Sequence, residues 1–166
     1  AVILGADIGT TFTAQLVAFK LTDYALLMIA IGFSLRLFAK KDLFKHLGEA
    51  LLGFGLLFYG MKMMSEAMYP LRSYPDFING LRGLEHPLMG LLVGAAFTAI
   101  IQSSSAFTGI VIVLAQQNLI TLEAGIPLIM GANIGTCITA ALAGIGASRE
   151  AKRVAIAHAL FKIAGV

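Results

Sequence analysis

The sequence has no tryptophan, a single cysteine and little charge, with Asp, Glu, Lys and Arg together making up 13% of its 166 residues. One cysteine, Cys137, excludes an intrachain disulfide framework, and no cysteine-rich zinc pattern can be built from it. So little charge, combined with 58% hydrophobic residues and a mean hydropathy of +0.88, excludes a water-soluble domain and points to an integral membrane protein. The formal net charge of +3 resides in short basic stretches rather than a basic surface, so no nucleic-acid partner is expected. Ten-residue alternating segments, the mark of a β-barrel, are missing, and the fold class expected is all-α, in contact with the lipid bilayer.

Apolar stretches of bilayer length occupy residues 23–39, 50–69, 86–122 and 124–148, and the last two contain no Asp, Glu, Lys or Arg. Arg36, Lys40, Lys41 and Lys45 form one basic cluster and Arg149, Lys152 and Arg153 another. The positive-inside rule places loops 40–47 and 148–153 in the cytoplasm of a multi-pass inner (plasma) membrane protein. Residues 1–19 then run outward, 23–39 return, an amphipathic link carries Lys41, Asp42, Lys45 and His46, and 48–69 run outward with Lys62 and Glu66 paired one turn apart.

Two polar breaks interrupt this apolar background. Gly5-Ala6-Asp7-Ile8-Gly9-Thr10 recurs as Gly131-Ala132-Asn133-Ile134-Gly135-Thr136, each followed by a further Thr at Thr13 or Thr139. Gly, Asp, Asn and Thr are poor choices for a continuous helix. A matched pair of such breaks, in segments of opposite direction, predicts inverted repeats with broken transmembrane helices. Gly5, Gly9, Gly131 and Gly135 would permit unwinding, while Asp7, Asn133, Thr10, Thr13, Thr136 and Thr139 would offer oxygen ligands to a hard monovalent cation. The competing reading is structural: Gly5 to Gly9, Gly90 to Gly94 and Gly131 to Gly135 are all G-x-x-x-G spacings, which serve close helix packing.

Between His86 and Leu122 the uncharged stretch is too long for one span and too short for two plus a turn. An arm over residues 87–101 would reach about 22 Å, short of the roughly 30 Å hydrocarbon core, so a re-entrant helical hairpin is expected over 87–117. Its tip is Gln102-Ser103-Ser104-Ser105, with the second arm starting near Ala106. Serines there cap that arm, and its free N–H groups and dipole bind phosphate or carboxylate without Arg or Lys. Capping or interhelical hydrogen bonding alone is the bland alternative. A serine hydrolase using Ser103, Ser104 or Ser105 with His158 is disfavoured, because Gly-x-Ser-x-Gly is absent and no third residue orients the His. Lys162, inside the last apolar helix, either snorkels or pairs with a group outside the chain.

Taken together, these residues resemble the type II sodium-dependent phosphate cotransporters and their bacterial relatives. The similarity lies in Gln102-Ser103-Ser104-Ser105-Ala106, which looks like that family's QSSS signature, the Gly94-Ala95-x-x-Thr98-Ala99-Ile100-Ile101 run before it, Gly131 to Thr136, Ala151-Lys152-Arg153-Val154-Ala155, and His158-Ala159-Leu160-Phe161. The resemblance implies sodium-coupled uptake of inorganic phosphate by alternating access, not catalysis. It assigns substrate binding to Gln102, Ser103, Ser104, Ser105 and Thr136, and the co-transported sodium ions to Gln102, Ser103, Asn133, Thr136, Thr139, Asp7 and Thr10. A non-transporting helical scaffold, a carrier of another small anion, and a homodimeric assembly remain open.

Three residues depart from the family pattern: Asp7 replaces the usual Asn of the first motif, Lys162 stands where Asn follows His-x-x-Phe, and Phe107 stands where a small hydroxyl residue is common. Residues 1–69 read as the end of a first repeat, 70–86 as an extracytoplasmic loop, and 87–166 as a second repeat of hairpin 87–117, broken helix 123–147 and final helix 154–166. At equal spacing the first-repeat QSSS would fall upstream of Ala1. The chain, which opens without Met inside an apolar segment, is therefore expected to be an incomplete portion of the transporter.

Overall fold

The computed structural model describes residues 2–19 and 21–166, leaving aside the side chains of residues 2–4, 7 and 13. Every regular element among them is helical, as a charge-poor apolar chain must be if its backbone groups are to be satisfied within each segment. The α-helices are α1 (Val2–Ala18), α2 (Ala25–Phe38), α3 (Asp42–Met68), α4 (Pro75–Arg82), α5 (Pro87–Ile101), α6 (Ser104–Gln116), α7 (Leu122–Gly135), α8 (Cys137–Ala143) and α9 (Arg149–Ala164). Among the described residues two helical stretches, Asp42–Ser73 and Leu122–Ala143, are long and apolar enough to cross a membrane, and up to four if the two bent pairs are counted. The bent pairs are 8–18 with 22–38, at 81°, and 75–85 with 87–101, at 105°.

The re-entrant arms appear as α5, 15 residues, and α6, 13 residues, each reaching about 20 Å and so shorter than a bilayer core. Phe97 and Phe107 tilt against each other across the arms at a centroid distance of 6.1 Å. Phe107, Val111, Ile120, Ala124, Leu128 and Ala132 form one core between α6 and α7. Val113 faces the other way, joining Val17, Ala25, Phe58 and Met61 in a second core with α1, α2 and α3. The second arm is therefore the central helix of the bundle.

Glycines bring two helix pairs into backbone contact. A Cβ on Gly94 would collide with Leu128 O, one on Gly131 with Leu91 O, and one on Gly135 would lie 2.6 Å from Ala95 O. These pairings advance together along both helices, so α5 and α7 run parallel. Small residues are what allow such an approach. A second seam, not foreseen from the sequence, joins antiparallel α2 and α3: a Cβ on Gly32 would lie 2.5 Å from Leu52 N, and one on Gly48 2.7 Å from Arg36 N.

Several expected boundaries shift for local reasons. No separate amphipathic link precedes α3, which starts at Asp42 and runs 27 residues because nothing between Asp42 and Gly48 breaks it. Residues 70–86, expected as a loop, hold short helical segments over Pro70–Ser73, Pro75–Arg82 and Gly83–Glu85, the first two opened by Pro70 and Pro75, and Leu81 and Leu84 pack on the α6–α7 core. The Arg72 guanidinium bonds to Gln117 Oε1 and lies 5.6 Å from the Tyr69 ring centroid, tying this segment to the end of α6. The final helix begins at Arg149 rather than Val154, since Ser148 Oγ accepts from Ala151 N at 3.3 Å, and the basic cluster forms its first turns. Among the described residues the ion pairs are Arg36–Glu49 and Lys45–Asp42, with His46 Nδ1 3.5 Å from Glu49 Oε2; the expected Lys62–Glu66 pair is not one of them.

Candidate functional site

The hairpin turns at Gln102, which adopts left-handed backbone geometry with φ 60°. For a non-glycine residue this costs about 1–2 kcal/mol, and such strain gathers where a site is held open. Gln102 N donates to Thr98 O at 2.8 Å, closing α5, while Ser103 turns extended and its Oγ accepts from Ala106 N at 3.2 Å. Ser103 alone caps the arm; α6 begins at Ser104, two residues before the start expected from sequence, so Ser104 and Ser105 lie in its first turn. Their half-buried hydroxyls hydrogen-bond to no described residue. The first-turn N–H groups of a helix have no intrahelical partner, so α6 presents donors and a positive dipole end at the tip.

Across from the tip, α7 and α8 are separated by Thr136. The helix is continuous through Gly131 and Gly135, which correct the expectation of unwinding: their role is to admit α5, and the interruption falls one residue later. Likewise α1 is unbroken through Gly5 and Gly9. Thr136 Oγ1 turns back to donate to Asn133 O at 2.6 Å. Thr136 itself keeps right-handed helical geometry, so Leu122–Ala143 is one near-continuous stretch rather than the broken helix expected, and Thr139, at the start of α8, donates to Gln102 Oε1 at 2.8 Å and fastens that stretch to the hairpin tip.

Asn133 points elsewhere. Its Oδ1 accepts from Lys162 Nζ at 3.2 Å, so Lys162 has a partner within the chain. Thr10 and Thr11 of the first motif line the same cavity of about 250 Å³ with Asn133, Phe161 and Lys162. The two motif copies thus meet at one place through Thr10 and Asn133. The expected site divides into two clusters, one at Gln102, Ser103, Ser104, Ser105 and Thr139, the other at Thr10, Asn133 and Lys162, with Thr136 bonded to the Asn133 carbonyl. The side chains of Asp7 and Thr13 lie outside the described residues.

Thr98 was missed. It is 1% exposed, sits against Gly135 one turn before Gln102, and its Oγ1 has no hydrogen-bond partner among the described residues. A polar residue inside an apolar helix was the available signal. Phe107, noted as a departure, is a core residue with 4% exposure.

Comparison with known proteins decides the family. The Na+/Pi-cotransporter family model matches residues 1–66 and 78–166. The chain belongs to the Na+/Pi-cotransporter family. This is a transporter family, which removes the hydrolase reading of the serines. Among similar proteins, YqeW of Bacillus subtilis (strain 168) is 34% identical over 165 residues, 99% of this chain and 53% of YqeW. "Putative inorganic phosphate export protein YjbB" of Escherichia coli (strain K12) is 31% identical over 169 residues, 99% of this chain and 30% of that protein. The human "Sodium-dependent phosphate transport protein 2B" is 35% identical over 118 residues, 66% of this chain and 17% of that protein. The chain therefore spans about half the length of YqeW and under a third of YjbB. No solved structure matches the chain significantly.

Proposed function

We propose that this Na+/Pi-cotransporter family member serves in sodium-coupled transport of inorganic phosphate by alternating access, as one portion of the functional transporter. The observation that carries the reading is the tip of the α5–α6 hairpin: hydroxyls on Ser104 and Ser105 at a helix N-terminus with no hydrogen-bond partner among the described residues, beside a strained Gln102 tied to Thr139. A phosphate there is held by neutral donors, which favours an anion that must also be released. Gln102, Ser103, Ser104, Ser105 and Thr136 form its binding set, and sodium ions use oxygens of Gln102, Ser103, Asn133, Thr136, Thr139, Asp7 and Thr10 to offset its charge. The matched motifs at Thr10 and Asn133 support an inverted-repeat arrangement, with loops 40–47 and 148–153 on the cytoplasmic side of the cell membrane.

The full-length protein, reconstituted in proteoliposomes, takes up labelled phosphate saturably under an inward sodium gradient and loses that uptake when choline replaces sodium. Uptake indifferent to the replacement contradicts coupling, and no phosphate flux in either direction contradicts the substrate. The name of YjbB favours export as a second reading of direction. Reversing the sodium gradient separates the two: a symporter follows the gradient, whereas an exporter releases loaded phosphate when sodium is high outside.

A further inference from the structure

Lys162 bears the one formal charge between Val154 and Val166, and it is 9% exposed. Its ammonium donates to Asn133 Oδ1 inside the cavity of about 250 Å³ that Thr10 and Thr11 also line. An ammonium buried in apolar surroundings survives only if oxygens replace its water. Carboxamide and hydroxyl oxygens converging on one cavity are also what a bare sodium ion requires. The lysine head and a sodium ion are both monovalent cations, and they compete for the same acceptor on Asn133. A sodium ion brought onto that oxygen meets a fixed like charge a few ångströms away, in a setting of low dielectric where the repulsion is weakly screened.

We propose that the Lys162 ammonium is a built-in cation that permanently holds the cation position at Asn133, so that the transporter moves one sodium ion fewer per phosphate than it would with a neutral residue there. The lysine is covalently fixed to α9, so its charge neutralises the site without being carried across the membrane. Thr10 and Thr11 on α1 line the cavity together with Asn133, Phe161, Gly165 and Val166, which makes the position one shared by both motif copies. Asn133 and Thr10 are thereby withdrawn from the sodium ligands proposed above, and sodium coupling is left to the cluster joined by the Gln102–Thr139 bond. This inference rests on the phosphate-transport reading above.

The test is the ratio of labelled sodium to labelled phosphate moved by the full-length protein in proteoliposomes. Lys162→Asn raises the ratio by one sodium ion per phosphate, and Lys162→Arg leaves it at the wild-type value. An Asn variant that transports phosphate with an unchanged ratio overturns the proposal. Sodium-dependent thermal stabilisation of the purified full-length protein, with choline as control, gives an answer that does not require transport: Lys162→Asn, or Lys162→Gln where the first is not recovered, gains a sodium-dependent rise in Tm beyond wild type. Equal rises in both overturn it. Wild-type protein that moves no phosphate refutes the transport reading instead, and the thermal measurement still decides whether the lysine excludes sodium.

Discussion

Thr139 donates its hydroxyl proton to Gln102 Oε1 at 2.8 Å, joining two segments whose only covalent connection runs through the second hairpin arm and α7. The bond fixes the Gln102 carboxamide, whose Nε2 meanwhile donates to Ala99 O, so the tip is held from both sides. Thr139→Val and Gln102→Leu should each lower thermal stability, by about 0.5–1.5 kcal/mol for the lost bond, and the double variant should lose less than the sum. Strict additivity in a double-mutant cycle would show that the two side chains do not interact.

Ser103 and Ser104 are adjacent and predicted to behave differently. Ser103→Ala removes the α6 cap and should cost about 1 kcal/mol of stability. Ser104→Ala should leave Tm near wild type, because its hydroxyl has no partner among the described residues, and weaken phosphate binding about tenfold or more, as expected for losing a bond to a charged ligand. Thermal unfolding with and without phosphate separates the two effects.

The glycine seams give a steric prediction. Gly131→Ala puts a methyl group against Leu91 O, backbone that cannot swing away, and overpacking of this kind costs about 1–3 kcal/mol. Gly53, where an added Cβ would meet nothing within 4 Å, is the control: Gly53→Ala should be neutral or stabilising by up to about 1 kcal/mol. Similar Tm changes for both would mean that α5 and α7 do not approach as described.

Thr98 carries a buried hydroxyl without a partner among the described residues. Such a group costs about 1–3 kcal/mol in desolvation, so the near-isosteric Thr98→Val should raise Tm. A fall in Tm would reveal a bond from Thr98 that forms in the assembled transporter.

The hairpin was readable because two simple quantities, an uncharged length and a polar midpoint, pointed to the same turn at Gln102. Ser103 as cap was readable for similar reasons. Gly131 and Gly135 were not, since glycine serves unwinding and close packing equally well, and only the position of the Leu91 and Ala95 carbonyls decides between them. The α2–α3 seam did leave a trace in Gly48 and Gly55, seven residues apart and so on one helix face, but its third member, Gly32, lies on another helix. The Lys162–Asn133 bond spans three elements, and no local pattern encodes it. Sequence did single out Lys162, as a charge that either snorkels or pairs.

The central claim, that the serine-lined tip binds phosphate, is tested most directly by equilibrium binding of labelled phosphate to the purified full-length protein in sodium, comparing wild type with Ser104→Ala/Ser105→Ala. Saturable binding that weakens by about tenfold or more in the variant, with Tm in the absence of phosphate unchanged, is the predicted result. Equal affinity in the two proteins would contradict it.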